Sequence, residues 1–264
     1  MQIRKPAVAG MFYTADEHQL RRDVENLMHG AASLSAANVT ITPKALIVPH
    51  AGYIYSGAVA ASAYQLLTPL RESIQRVVLM GPAHRVYLQG MAIPSATQFQ
   101  TPLGTIPLDQ IAMENISQLP GVTISDAAHA QEHSLEVQLP FLQTTLSNFT
   151  LVPIVVGQCD AELVAGVVDT LWGNNETLIV ISTDLSHFLN YSDAQNIDFE
   201  TTQKILAKAT TLKGHEACGA NAINGFMRAA NTGPLAIETI NICNSGDTAG
   251  DKSKVVGYGA FVVY

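Results

Sequence analysis

Four apolar, β-branched runs in this chain each deliver a residue that can bind a metal or move a proton. Residues 44–48 lead to Pro49-His50, and residues 76–80 lead through Gly81-Pro82-Ala83 to His84. Residues 177–181 lead through Ser182-Thr183 to Asp184 and then His187, and residues 235–242 run into Cys243. Runs of this kind separated by helical lengths read as strands of a mainly parallel or mixed sheet with helices on both faces, an α/β domain. In open α/β sheets the carboxyl edge is where sites are built.

That edge gives the chemistry its first outline. Imidazole and thiolate are ligands favoured by iron, copper and zinc. His50, His84 and Cys243 would leave an open coordination position, as a catalytic metal needs. Asp184 and His187 form an Asp-x-x-His pair able to orient an imidazole for acid–base work. Each residue alone has a plainer reading. A histidine after a strand can simply cap it, and a lone cysteine can pack as a small hydrophobe. Chance placements would scatter over both edges of the sheet, whereas these four share one. Cys243 also has polar neighbours in Asn241, Asn244, Ser245 and Asp247.

A rival lies in His129-Ala130-Gln131-Glu132-His133, which matches the H-x-x-E-H zinc motif of inverted metallopeptidases. On a helix the two imidazoles would share one face, and Glu132 would be the general base. The pattern is short, and no downstream glutamate stands out as a third ligand. It would also leave the strand-end groups unexplained. In the strand-edge reading, Glu132 and His133 reach into the same site as general acid or substrate contacts.

The intervening sequence completes the alternation. Helices are expected at 17–28, from a Ser56 cap to about Leu67, and at 109–119, 130–146, 160–172, 192–209 and 219–230. The helix over 130–146 should kink at Pro140. Further strands are expected at 151–156 and 255–263, with an irregular hairpin over 90–107 and a surface loop over 30–38. The first βαβ unit should have a right-handed crossover. Cys218, at a helix start, reads as a packed structural thiol. The glycine-rich stretch 246–252 reads as a connection rather than a phosphate cradle, since no helix pattern follows it.

Composition excludes several classes. The chain has 264 residues, 47% of them hydrophobic, enough for a full core, and one domain over 1–264 is expected. The net charge of −8 and the lack of basic clusters argue against nucleic-acid or anionic-membrane binding. Three scattered cysteines without a C-x-x-C fit a reducing cytoplasm. No apolar run is long enough for a membrane span, and the first residues lack the apolar core of a signal peptide.

Several stretches resemble one family. They are Arg4-Lys5-Pro6-Ala7-Val8-Ala9-Gly10-Met11-Phe12-Tyr13, Val48-Pro49-His50-Ala51-Gly52-Tyr53-Ile54-Tyr55-Ser56-Gly57 and Gly81-Pro82-Ala83-His84. Glu132-His133-Ser134-Leu135-Glu136-Val137-Gln138-Leu139-Pro140-Phe141, Ser182-Thr183-Asp184-Leu185-Ser186-His187 and Val256-Gly257-Tyr258 complete the set. The chain resembles the Memo family, the B component of the AmmeMemoRadiSam set, over nearly its whole length. The resemblance implies a fold like that of class III extradiol ring-cleaving dioxygenases. By position it implies His50 and His84 as metal ligands, with Cys243 where those enzymes place a glutamate. It also implies His133 and His187 as the additional pocket histidines, with Asp184 beside them. It implies iron or copper binding, redox chemistry on an unknown small molecule or peptide, and radical-SAM and AMMECR-type protein partners. Eukaryotic relatives are linked to phosphotyrosine-containing segments, so a non-catalytic metal- or peptide-binding module is the alternative. A thiolate is softer and more oxidisable than a carboxylate, so ring cleavage does not follow from the resemblance.

Overall fold

The computed structural model describes residues 2–34 and 42–264. Its organising feature is a nine-stranded mixed sheet. The centre consists of four parallel strands, β2 (Ala45–Val48), β9 (Thr177–Ser182), β3 (Arg76–Pro82) and β8 (Thr150–Val156), in that spatial order. Apart from Arg76 and Thr150 at their starts, these strands are buried along their whole length. Continuous Val/Ile/Leu runs suit this position, because strands covered on both faces need no polar alternation.

Antiparallel strands extend both flanks. Beyond β8 lie β4 (Met91–Ile93), antiparallel to it, and β7 (Val122–Ile124). Beyond β2 lies β12 (Val255–Val263), antiparallel to β2, and β11 (Ile237–Asn244) forms the outer neighbour of β12. The short β10 (His187–Leu189) also pairs with β12. A separate three-stranded sheet joins β1 (Ile3–Arg4), β5 (Gln98–Thr101) and β6 (Gly104–Pro107), so the irregular hairpin expected over 90–107 splits between the two sheets. Strands β1, β7 and β10 have two or three residues each, too short to show a period in the sequence.

Eight α-helices surround the sheet among the described residues: α1 (Glu17–Leu34), α2 (Tyr53–Tyr64), α3 (Gln110–Ser117), α4 (Asp126–Ala130), α5 (Leu139–Thr145), α6 (Ala161–Leu171), α7 (Tyr191–Leu206) and α8 (Ala220–Ala230). Side chains cap four of their N-termini: Asp16 for α1, Asp109 for α3, Ser125 for α4 and Asn190 for α7. No described helix is long and apolar enough to cross a membrane. A single contiguous apolar core joins strands and helices.

Three local expectations change. Helix α1 runs on through the start of the expected 30–38 loop, and the rest of that stretch lies outside the described residues. Ser56 does not cap α2; it sits inside the helix and its hydroxyl donates to the Ala51 carbonyl at 3.1 Å. The expected 130–146 helix is broken: α4 stops at Ala130, a 3₁₀ turn spans Glu136–Gln138, and α5 starts at Leu139. Pro140 therefore lies in the first turn of α5, where its missing N–H costs nothing, instead of kinking a longer helix.

Candidate metal centre

The carboxyl ends of β2, β9 and β3 lie side by side, so the residues following them meet. His50 follows β2 and His84 follows β3, with the end of β9 between them. Their ring centroids are 5.2 Å apart, edge to face. His133 comes from the linker between α4 and the 3₁₀ turn. Its ring lies 5.5 Å from His50 and stacks on His84 at 4.8 Å and 22°. The three imidazoles offer nitrogens that all lie within 4.8 Å of one another, a group that could hold a metal ion.

The donor chemistry fits that role. Burial, reinforced by the neighbouring His84 and His133, holds His50 well below the usual imidazole range. Burial likewise lowers His133 to about 4. Neutral imidazole is the metal-ligating form. His133 Nδ1 is buried and has no hydrogen-bond partner.

Glu132 organises two of the three rings. Its Oε2 accepts from the His84 backbone N–H at 2.6 Å, and its Oε1 accepts from His84 Nδ1–H at 3.0 Å. Oε1 also accepts the backbone N–H groups of His133 and Ser134, both at 2.9 Å. Burial pushes this carboxyl up, but the His84 hydrogen bond and charge, together with the backbone donors, outweigh it and hold the group at about 2. A carboxylate so saturated is a poor base. Glu132 thus accepts four hydrogen bonds from fixed N–H groups, two of them from His84. A carboxylate that fixes the far nitrogen of an imidazole is a recurrent support for metal-binding histidines.

The N-terminal segment braces this linker. Glu136 is fully buried and ion-paired with Arg4. It also accepts from the Ala7 N–H at 2.7 Å, the Val8 N–H at 3.0 Å and Tyr13 Oη at 2.5 Å. Arg4 donates onward to the carbonyls of His129 and Glu132, at 3.1 and 2.6 Å. Phe12 packs its ring on His133 at 4.7 Å. Residues 4–13 thus wrap over residues 129–136 and fix the path that carries His133 into the cluster.

Asp184 and His187 flank the cluster. Asp184 Oδ1 accepts the His50 backbone N–H at 2.8 Å, and Oδ2 lies 3.9 Å from His50 Nε2. Burial raises its carboxyl to about 7 against the pull of the His50 backbone donor, a value suited to acid–base work near neutrality. His187 is half-buried and its pKa is lowered by burial. A bulge between His187 and Leu189 and a positive φ of 59° at Phe188 set its direction. Bulges commonly re-aim a side chain beside a site.

Two expected residues lie elsewhere. Cys243 is not in the imidazole group. It lies one residue before the end of β11, on the expected edge, but β12 lies between β11 and β2. Cys243 instead lines a cavity of about 270 Å³ with Gln195, Asp198 and Phe199. Burial, with the charges of Asp247 and Asp198, pushes its thiol up to about 11. The thiol at the cluster is Cys218, with Sγ 3.4 Å from His50 Nε2. His129, the first residue of the peptidase-like pattern, is also outside the group: its ring bonds to the Ala92 carbonyl through Nε2 at 3.0 Å. Because α4 ends at Ala130, His129 and His133 do not share a helical face.

A central mixed sheet flanked by helices, with three imidazoles converging beyond its parallel strands, defines a class of α/β protein with a candidate metal pocket at the sheet edge. The Memo-like protein family matches residues 4–262. MEMO1 family proteins of Sulfolobus acidocaldarius and Aquifex aeolicus are each 34% identical, over 97% and 98% of both chains respectively. That of Metallosphaera sedula is 33% identical over 97% of both chains. The chain belongs to the Memo family.

Proposed function

We propose that this protein is a transition-metal-dependent oxidoreductase with a dioxygenase-like pocket, acting on a small phenol-like or peptide-borne substrate. The observation that carries this reading is the convergence of His50, His84 and His133 with Asp184 and His187 beside them. Three imidazoles suit iron, copper or zinc. Once bound, such an ion supplies Lewis-acid polarisation and, if iron or copper, one-electron chemistry. The chain's own part is to hold the ligands and move protons. In this reading the latter falls to Asp184, with a carboxyl near 7, and to His187. A pocket that only bound a ligand would need neither.

A second reading is a non-catalytic module that binds metal or peptide at the same mouth. It is supported by the exposed apolar side chains of Met11, Ile54, Tyr87 and Phe188. Each is at most four residues from His50, His84, His187 or the His133-packed Phe12. Radical-SAM and AMMECR-type proteins are the partners the family resemblance suggests, and co-purification would test them.

The test of the leading reading is elemental analysis of protein purified without chelators, followed by oxygen uptake with a panel of catechols and phenols. Stoichiometric iron or copper with substrate-dependent uptake supports the enzyme. Bound metal with no uptake across the panel, together with retention of phenol- or phosphotyrosine-bearing peptides, favours the binding module.

A further inference from the structure

We infer that Ser182 is a positioning residue that fixes the tautomer of His50 and so leaves its Nε2 lone pair facing the imidazole cluster. The inference rests on the metal-centre reading for its purpose, but its geometry stands apart from any metal.

Ser182 is the last residue of β9 and is wholly buried. Its Oγ has three polar neighbours: the Ser134 carbonyl oxygen at 2.6 Å, Gln138 Nε2 at 2.8 Å and His50 Nδ1 at 2.8 Å. A hydroxyl has one proton to give and two lone pairs to receive. A carbonyl oxygen only accepts, so the Ser182 proton goes to Ser134.

The Gln138 amide is oriented by its other contacts. Its Nε2 also lies 2.9 Å from the Pro49 carbonyl oxygen, which can only accept. Its Oε1 receives the Tyr64 hydroxyl at 3.0 Å. Gln138 therefore donates to Ser182, which uses one lone pair.

The remaining lone pair of Ser182 faces His50 Nδ1, and only an N–H there makes a bond. A bare Nδ1 would put lone pair against lone pair in a site closed to water. A neutral imidazole carries one proton, and with that proton on Nδ1 the Nε2 lone pair is left free. Its nearest polar contact is compatible with this: the Cys218 thiol, Sγ at 3.4 Å, has one proton, with His50 Nε2 and the Asp184 carbonyl at 3.7 Å both in reach. The polarity of the whole chain is anchored at two backbone carbonyls, Pro49 and Ser134, that cannot reverse.

His84 Nδ1 is held by a different partner, donating to the Glu132 carboxylate. Two unlike supports thus hold the same nitrogen on two rings. The far-nitrogen bond of a metal-binding histidine sets its tautomer and orientation.

The test is long-range ¹H–¹⁵N correlation on metal-free, ¹⁵N-labelled protein, with His50 assigned through His50→Gln. The wild type should show His50 protonated at Nδ1. Ser182→Ala should shift it toward the Nε2–H form, and Ser182→Thr, which keeps the hydroxyl, should restore the wild-type pattern. Cobalt(II) titration should then show affinity falling about 10–100-fold in Ser182→Ala and recovering in Ser182→Thr. A wild-type His50 protonated at Nε2 overturns the inference without need of a variant. So does a folded Ser182→Ala protein that keeps the Nδ1–H form. Failure of the wild type to bind any transition metal overturns the metal-centre reading instead, and the metal-free spectra still decide the role of Ser182.

Discussion

Cys218 Sγ lies 3.4 Å from His50 Nε2, and Sγ in turn accepts the Asp184 backbone N–H at 3.2 Å. Burial, with the Asp184 charge, pushes this thiol up to about 12, so it stays protonated, and its one proton has both His50 Nε2 at 3.4 Å and the Asp184 carbonyl at 3.7 Å within reach. A neutral thiol thus lies against His50 Nε2. A weak sulfur contact of this kind is easily exchanged for a stronger ligand bond. Gly219, the next residue, allows the approach: a Cβ there would stand 2.7 Å from Thr183 Cβ.

The ligand set gives the first prediction. His50→Ala, His84→Ala and His133→Ala should each cut metal affinity by more than the ~10–100-fold typical of losing an outer support. Cys243→Ala should leave it unchanged, because Cys243 is not in the group. Elemental analysis of the folded variants checks this. Metal lost on Cys243→Ala and retained on His133→Ala would refute the three-imidazole set.

The pattern of success and failure at the sequence level follows from what a single chain displays. Strands β2, β3 and β9 are buried on both faces, so their β-branched runs and terminal His50, His84 and Asp184 stand out. Cys243 has the same local signature on β11. What separates it from the site is strand order: β12 runs antiparallel between β11 and β2, and no local pattern encodes that. Cys218 gives the reverse lesson. It precedes a helix instead of ending a strand, and only a Cys-Gly pair at the helix start hints that the backbone comes close to something. Ser134, Glu136 and Gln138 sit in one of the stretches that carry the family resemblance, yet their tasks are hydrogen bonds to Pro82, Arg4 and Ser182, all distant in sequence.

The second prediction concerns the buried pair of Arg4 and Glu136. Removing one partner leaves an uncompensated buried charge, which costs about 3–5 kcal/mol. Arg4→Met and Glu136→Gln should each lower the urea midpoint accordingly. The double variant should recover part of the loss, since neither charge is then stranded. Because Arg4 also holds the Glu132 carbonyl, metal affinity should fall in both single variants. Single variants as stable as the wild type would show that the N-terminal brace contributes little.

The third prediction is a pH dependence. Burial lowers His129 from 6.5 to about 4. Between those values the unfolded chain binds the proton and the folded chain does not. The stability this group contributes is complete above pH 6.5 and is lost as pH falls toward 4, an effect on the order of 1–3 kcal/mol. His129→Gln keeps a donor for the Ala92 carbonyl and removes the titration. Chemical denaturation of metal-free protein from pH 7 to 4 should therefore show a shallower decline in His129→Gln. Metal content should be unaffected, because His129 is outside the cluster. Equal slopes in the two proteins would place His129 in an environment wetter than the one described.

The last prediction separates holding the metal from doing chemistry. His187 opens β10, ahead of the bulge, and Asp184 reaches the cluster through His50, so neither is needed to complete the three-imidazole group. His187→Ala should keep the metal and lose turnover of the true substrate by about 100-fold, the lower range for general acid–base catalysis. Asp184→Asn keeps an oxygen to accept the His50 and Ala51 N–H groups but loses the carboxyl near 7. It should also retain metal, fall less in rate at its optimum, and shift the pH–rate profile relative to the wild type. Metal-replete variants at both positions with wild-type rates and an unchanged profile would remove the acid–base assignment and leave the pocket as a binding site. Loss of metal in His187→Ala would instead make His187 a fourth ligand, a result that rate measurements alone could not distinguish from lost catalysis and that metal content read on the same samples would reveal.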